Sequence, residues 1–358
     1  MEKLLINGGR SLKGEISCSG AKNAALPMIA ATILSDKNIV LKNLPYLQDI
    51  TTMFELLGSM GANILLNENM DFTISTNALN EKEARYELVK TMRASILVLG
   101  PLVAKYGEAK IALPGGCAIG SRPVNYHLDA LEQLGATITL KNGYIEASAK
   151  KLIGSKIKFD GVTVTGTENI MMAACLAEGT TVLTNVAKEP EIIDLADFLN
   201  KMGAKISGAG TDEITIEGVD RLHGTEHIIP ADRIEAGTYL VAAAVTEGEI
   251  VINGINPNRL VKVLDKLNET GAIIETSKNS ISLSMKRDKP KPVDITTAPF
   301  PEFPTDMQAQ FSVINAIADG ISNIYETVFE NRFMHVQELN RMGSNIQVNG
   351  NQAVIEGV

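Results

Sequence analysis

The chain has 358 residues, 45% hydrophobic and 21% charged, with 33 basic against 42 acidic side chains and a formal charge of −9. That length suits about two domains with cores of their own, and the near-average composition excludes a disordered chain, a collagen-like repeat and a small disulfide scaffold. The acidic balance, the 4% aromatic content and the lack of Trp weigh against nucleic-acid binding, which needs a basic field and stacking platforms. The longest apolar run, 94–104, contains Gly100 and Pro101 and stops at Lys105, short of the roughly 18 residues that span a bilayer. The apolar stretch at the start is too short for a signal peptide. Cys18, Cys117 and Cys175 are an odd number at no metal-ligand spacing and suit a reducing compartment. A cytoplasmic protein without membrane contact or metal is expected.

In chain order, the first predicted helix starts at Ser19-Gly20-Ala21-Lys22-Asn23 and is apolar throughout. An amphipathic helix then ends at Leu57-Gly58-Ser59-Met60-Gly61-Ala62, before the strand-like Asn63-Ile64. The ending returns at Leu131-Glu132-Gln133-Leu134-Gly135-Ala136 and Leu199-Asn200-Lys201-Met202-Gly203-Ala204. It comes twice more, at Leu267-Asn268-Glu269-Thr270-Gly271-Ala272 and Leu339-Asn340-Arg341-Met342-Gly343-Ser344. The five glycines are 74, 68, 68 and 72 residues apart. A glycine placed there is a helix C-cap in a left-handed conformation. A second set, Gly107, Gly179, Gly248 and Gly320, follows an Ala-containing apolar stretch, while the first unit has Asp36-Lys37 instead. Each unit therefore reads as helix, strand, loop, helix, strand and strand. Residues 170–177 exemplify a helix buried all round. Residues 192–202 exemplify the amphipathic one, with Ile193, Leu195, Ala196, Leu199 and Met202 inward. Such an array fits an open solenoid, or a closed arrangement with helices inside and sheets outside.

Polar residues gather where the buried helices start. The five starts are Ser19–Asn23 and Lys90-Thr91-Met92-Arg93-Ala94, then Thr165-Gly166-Thr167-Glu168-Asn169, Ala231-Asp232-Arg233-Ile234-Glu235 and Pro304-Thr305-Asp306-Met307-Gln308. Helix N-termini present free N–H groups and attract anions. Lys22 and Arg93 are unfavourable there unless an anion lies between, which points to a phosphate-bearing ligand. Thr165 to Asn169 suit either capping or binding. In Leu113-Pro114-Gly115-Gly116-Cys117-Ala118-Ile119-Gly120-Ser121-Arg122, glycines flank a thiol that the loop can offer to a substrate. Arg122 would lower its pKa and hold phosphate. Cys18 and Cys175 read as small buried hydrophobes. In the fifth unit, Pro299, Pro301 and Pro304 deliver Asp306 to a helix start, either as a general base or as a plain first-turn acid. Arg332 follows at the next strand-to-helix loop.

Residues 19–27, 115–127, 298–311 and 328–335 together resemble the UDP-N-acetylglucosamine 1-carboxyvinyltransferases of the enolpyruvyl transferase family. The resemblance implies an α/β fold of two inside-out barrel domains built from about six repeated units, five of them present here. It implies domains at 22–230 and at 1–21 with 231–358. It also implies transfer of the enolpyruvyl group of phosphoenolpyruvate to the 3-hydroxyl of UDP-N-acetylglucosamine, with release of phosphate and no cofactor. In that family Cys117 corresponds to the loop proton donor and fosfomycin target, and Asp306 to the base at the 3-hydroxyl. Lys22, Arg93, Arg122 and Arg332 correspond to cations of the cleft, and Asn23 to a substrate-contacting amide. Pro123, Val124, Asn125, Tyr126, Thr163, Val164 and Val328 lie where the family contacts the nucleotide or amino sugar, Asn125 replacing an Asp of some members. The family continues past Val358 with a further unit carrying an Asp-Leu-Arg motif, so weak or no turnover is expected of these 358 residues. A non-catalytic UDP-sugar-binding homologue and 5-enolpyruvylshikimate-3-phosphate synthase are the alternatives.

Overall fold

Five amphipathic helices end at a glycine whose backbone angle other residues resist. The structure, a computed structural model, describes residues 5–114, 124–286 and 289–358. Gly61, Gly135, Gly203, Gly271 and Gly343 have φ between +92° and +104°. At 57–62, 131–136, 199–204 and 339–344 the glycine N–H donates to the carbonyl three residues back, and the next N–H to the carbonyl five back, at 2.8–3.1 Å. This pair of bonds is a Schellman cap and uses carbonyls that a helix end leaves without partners. Two copies add a side-chain clamp. The Asn200 and Asn340 amides each accept from the N–H and donate to the carbonyl of one strand residue, Ile206 and Ile346, at 2.8–3.0 Å. The helix stop thereby also sets the start of the next strand.

Among the described residues there are five four-stranded sheets. In each, the hairpin after the capped helix lays its second strand antiparallel to the strand that follows the inner helix. A fourth strand joins that one in parallel, as Lys156–Lys158 joins Thr180–Thr184. The unit predicted from the sequence lacks this leading strand, which here precedes the inner helix. It is only two residues long at Glu83–Ala84 and Ile295–Thr296. The first and fourth units exchange theirs. Lys13–Ser17 precedes the first inner helix but pairs with Glu249–Asn253, while Glu226–Ile228 precedes the fourth and pairs with Ile39–Lys42.

Contacts divide the chain into two compact units. Among the described residues one comprises 5–18 with 231–286 and 289–358, the other 19–114 with 124–230. Residues 19–21 thus stand with the 19–230 unit, not with the segment before them; the Ala21 N–H donates to Pro230 O at 2.7 Å.

In the 19–230 unit three inner stretches pack on one another: Lys22–Ala31, Val164–Ala174, and a 3-10 turn Arg93–Val98 that continues as Leu99–Tyr106. Arg93 therefore opens a 3-10 segment instead of an α-helix. The backbones come close at Gly100, where a Cβ would stand 2.4 Å from the Asn169 carbonyl oxygen. Outside them, Pro190–Lys201 turns Ile192, Leu195, Ala196, Phe198 and Leu199 inward. Ile193, expected in that stripe, is 37% exposed. The stripe is set by 192, 195, 196 and 199, and residue 193 falls about 60° beyond its edge at Ala196.

In the other unit Arg233–Val245 and Gln308–Ala316 pack together, with Thr238 and Tyr239 left exposed. Here the turn before the strand departs from the repeat. Glu247 takes the positive φ, +52°. Gly248 instead allows a close approach, since its Cβ would lie 2.3 Å from Leu12 O.

Gly135 isolates the cost of the cap angle, because a Cβ there would meet nothing within 4 Å. Gly135→Ala should destabilise the protein by about 1–2 kcal/mol through backbone strain alone. Urea unfolding should show a lower midpoint with an unchanged slope; an unchanged midpoint would refute the cap.

Candidate active site

The 19–230 unit gathers its polar side chains at the N-terminal ends of the inner helices. Lys22 is the first residue of Lys22–Ala31, a helix without a side-chain cap or first-turn acid. Its ammonium lies 3.1 Å from Asp49, in the first turn of Gln48–Ser59, with both side chains more than a third exposed. The anion next to Lys22 in this structure is thus a protein carboxylate, accessible to solvent and open to competition from a ligand. Sequence reading missed Asp49, because an acid in a first turn is ordinary helix chemistry. Asn23 is exposed beside it.

Arg93 is half-buried, and its charge acts on His127. His127 follows Val124, Asn125 and Tyr126 into the helix Asn125–Gln133. Its ring is buried and reads a fixed partner set. Asn169 Oδ1 accepts from the Gly100 N–H at 2.7 Å, which fixes that amide's orientation. Asn169 Nδ2 then donates to Ile96 O and to His127 Nδ1, both at 2.9 Å. Nδ1 is therefore the acceptor, and Nε2–H points to Thr165 Oγ1 at 3.3 Å. A neutral imidazole satisfies all of these contacts. Burial first, then the Arg93 charge, pushes its pKa down to about 3.

The network joins the start of Asn125–Gln133 to the start of Val164–Ala174, bringing Asn125 and Tyr126 near Thr163 and Val164. A Cβ on Gly161 would stand 2.7 Å from Tyr126 Oη, so the ring lies against the 161–163 loop. Thr163 caps its helix by accepting from the Gly166 N–H at 3.2 Å. Asn169 is a core bridge and Glu168 is no cap. Glu168 is buried, its Oε1 makes no hydrogen bond, and burial with the Glu191 and Glu189 charges holds its pKa well above the usual carboxylate range.

In the other unit Asp306 sits in the 3-10 turn Thr305–Met307. It caps nothing. Its carboxylate accepts instead from the Arg332 guanidinium, 2.5 Å away, so this first-turn acid takes its partner from another element. Arg332 also lies over the Phe329 ring, 5.4 Å from its centroid. Val328 is half-buried in the same loop.

Cys117, Arg122 and Pro123 lie outside the described residues. Cys18 and Cys175 are buried, and burial pushes both thiols up to about 12, leaving no thiolate for nucleophilic work. Among the described residues no group of His, Cys, Asp and Glu could hold a metal ion, and no helix is long and apolar enough to cross a membrane.

The sequence model of the family described as EPSP synthase (3-phosphoshikimate 1-carboxyvinyltransferase) matches residues 6–358. The chain belongs to the enolpyruvyl transferase family. It is 54% identical, over all of its length and 86% of the relative's, to the UDP-N-acetylglucosamine 1-carboxyvinyltransferase of Hydrogenovibrio crunogenus. Solved structures share the fold. The enolpyruvyl transferase NikO from Streptomyces tendae superposes with a TM-score of 0.86 at 23% identity, covering 98% of this chain and 83% of that one. EPSP synthase from Acinetobacter baumannii gives 0.73 at 19% identity with the same coverage. The protein is thus a transferase of this family acting on small molecules, with its repeated sheets set around inner helices.

The His127 network makes stability depend on pH. An unfolded histidine titrates near 6.5, so the unfolded chain takes up this proton first. The stabilisation is complete above about pH 6.5 and is lost as pH falls from there through about 3, at up to ~1.4 kcal/mol per pH unit. Chemical denaturation across that window should show a shallower slope for His127→Gln. Equal slopes would mean that His127 is not held neutral.

Proposed function

We propose that this chain transfers the enolpyruvyl group of phosphoenolpyruvate to the 3-hydroxyl of UDP-N-acetylglucosamine, releasing phosphate, in the first committed step of peptidoglycan synthesis. The supporting observation is the 54% identity over the whole chain to a protein of that activity; the likeness to EPSP synthase structures, at 19%, carries the fold alone. The two compact units correspond in this reading to the family's two domains. A cytoplasmic location accords with the free thiols at Cys18 and Cys175.

The chemistry is addition followed by elimination. The Cys117 thiol gives its proton to the methylene carbon of phosphoenolpyruvate. The 3-hydroxyl oxygen bonds to the adjacent carbon, and Asp306 takes the hydroxyl proton. The resulting tetrahedral ketal then returns a proton from its new methyl group to the Cys117 thiolate while phosphate leaves with the proton held by Asp306, restoring the double bond and both side chains. Lys22, Arg93 and Arg122 hold the phosphates and the enolpyruvyl carboxylate, and Lys22 exchanges Asp49 for the substrate anion. Arg332 orients the Asp306 carboxylate through their ion pair. By the resemblance, Val124, Asn125, Tyr126, Thr163, Val164, Val328 and Pro123 are assigned contacts with the nucleotide or amino sugar, and Asn23 a contact with the sugar or with phosphoenolpyruvate.

Phosphate release from phosphoenolpyruvate should require UDP-N-acetylglucosamine and fail with shikimate 3-phosphate; the reverse preference would overturn the substrate assignment. Asp306→Ala should bind the sugar nucleotide within about threefold of the parent and lose turnover by 10²-fold or more. Fosfomycin with the sugar nucleotide should leave one mass adduct, on Cys117. Cys117→Asp, which keeps a proton donor without the thiol, should escape the adduct and retain some turnover. An adduct on Cys18 or Cys175 would sink the role given to Cys117.

A further inference from the structure

The carboxylate of Glu326 is buried just beyond the strand Ile321–Tyr325. It accepts four hydrogen bonds. Oε1 takes the Thr297 hydroxyl at 2.8 Å, the Val328 N–H at 2.8 Å and the Phe329 N–H at 3.1 Å. Oε2 takes the Thr305 hydroxyl at 2.8 Å. A second layer locks the first: Thr297 Oγ1 accepts from the Thr327 N–H at 3.0 Å, and the Thr327 hydroxyl donates to Thr297 O. Burying a charged carboxylate is costly unless donors replace its water. Here every donor comes from the two loops that carry Asp306 and Arg332.

Both halves of that ion pair hang from this one side chain. On one side Thr305, held by Oε2, immediately precedes Asp306. On the other side Oε1 holds the Phe329 amide, and the Phe329 ring lies under the Arg332 guanidinium, which in turn pairs with Asp306. The Val328 amide is held by the same oxygen. We propose that Glu326 is the positioning residue of the Asp306–Arg332 pair, acting through the Thr305 hydroxyl and the Val328 and Phe329 amides. It touches no reacting atom. It sets where the base stands and where its cation lies. The consequence for turnover rests on the function proposed above, whereas the geometric consequence does not.

Thr305→Val, Glu326→Gln, their double mutant and Asp306→Asn separate the two. Thr305→Val removes one hydroxyl, and Glu326→Gln keeps the shape while exchanging one acceptor for a donor, so both retain the packing that Glu326→Ala would forfeit. Crystal structures of the two single variants should show Asp306 and Arg332 more than 4 Å apart or disordered. In phosphate release from phosphoenolpyruvate and UDP-N-acetylglucosamine, each should lower kcat about tenfold with the sugar-nucleotide Kd within about threefold. The double mutant should be no slower than the slower single, since both cut one linkage. An intact ion pair in both crystal structures, losses that multiply in the double mutant, or a raised Kd with unchanged kcat would each overturn the positioning role. Undiminished turnover by Asp306→Asn would overturn Asp306 as the base and leave the crystal structures to decide on Glu326.

Discussion

A helix that is apolar on every side has no face to give to water. Val164–Ala174, buried at every position from Gly166 onward, has to be enclosed, and sheets packed around it and its two neighbours do so. This constraint governs the rest of the molecule. Residues along the enclosed part of such a helix serve packing and internal bridges, as Asn169 does, so ligand binding is confined to its ends. Of the two ends, the N-terminal one offers unused N–H groups and a positive potential. Repetition of the unit then brings several such ends into one compact body.

The polar groups follow from that confinement. Each inner-helix start resolves its charge differently. Asp232 caps its helix directly, accepting from the Ile234 and Glu235 N–H groups. Thr163 caps with a hydroxyl. Lys22 is a cation where a cation is disfavoured and leans on Asp49. Asp306 turns from the helix towards Arg332. The first two commit a side-chain oxygen to their own helices. The other two depend on a side chain from another element: Lys22 can exchange Asp49 for a substrate anion, while Asp306 stays paired with Arg332. An ordinary cap and a candidate binding group thus differ in where the partner comes from.

That difference also explains what the sequence made legible. The helix-stop glycines at 61, 135, 203, 271 and 343 were readable because their chemistry is local: at four of them six consecutive residues contain both donors and both acceptors, and all five take the required φ. Lys22 and Asp306 were readable as anomalies, a cation and a proline-fixed acid at helix starts. Their partners were not. Asp49 lies 27 residues from Lys22, and nothing local distinguishes it; Arg332, 26 residues from Asp306, was readable as a loop cation but not as the partner of that acid. Glu326 was invisible for the same reason, because its four donors come from 297, 305, 328 and 329. The leading strands failed differently. Two residues such as Glu83–Ala84 are too few to show a period of two, and their identity as strands rests wholly on parallel pairing with a partner beyond the inner helix. Ile193 shows the remaining limit: an apolar residue beside the stripe looks like part of it until the helix start is fixed.

The exchanged leading strands bear on how such a chain folds. The described residues of the 19–230 unit come from two stretches close in sequence, 19–114 and 124–230, but the other unit needs Lys13–Ser17 against Glu249–Asn253, a pairing across more than 230 residues. Closing so long a loop in an unfolded chain would cost about 5 kcal/mol in entropy by logarithmic scaling. The 19–230 unit removes most of that cost when it folds, because its two ends meet. The Ala21 N–H bonds to Pro230 O at 2.7 Å, and Gly20 lies so close to Asn43 O that a Cβ would stand 1.9 Å from it. Once that unit is formed, residues 18 and 231 lie side by side. The strand before one and the helix after the other are then neighbours, no longer the ends of a long loop.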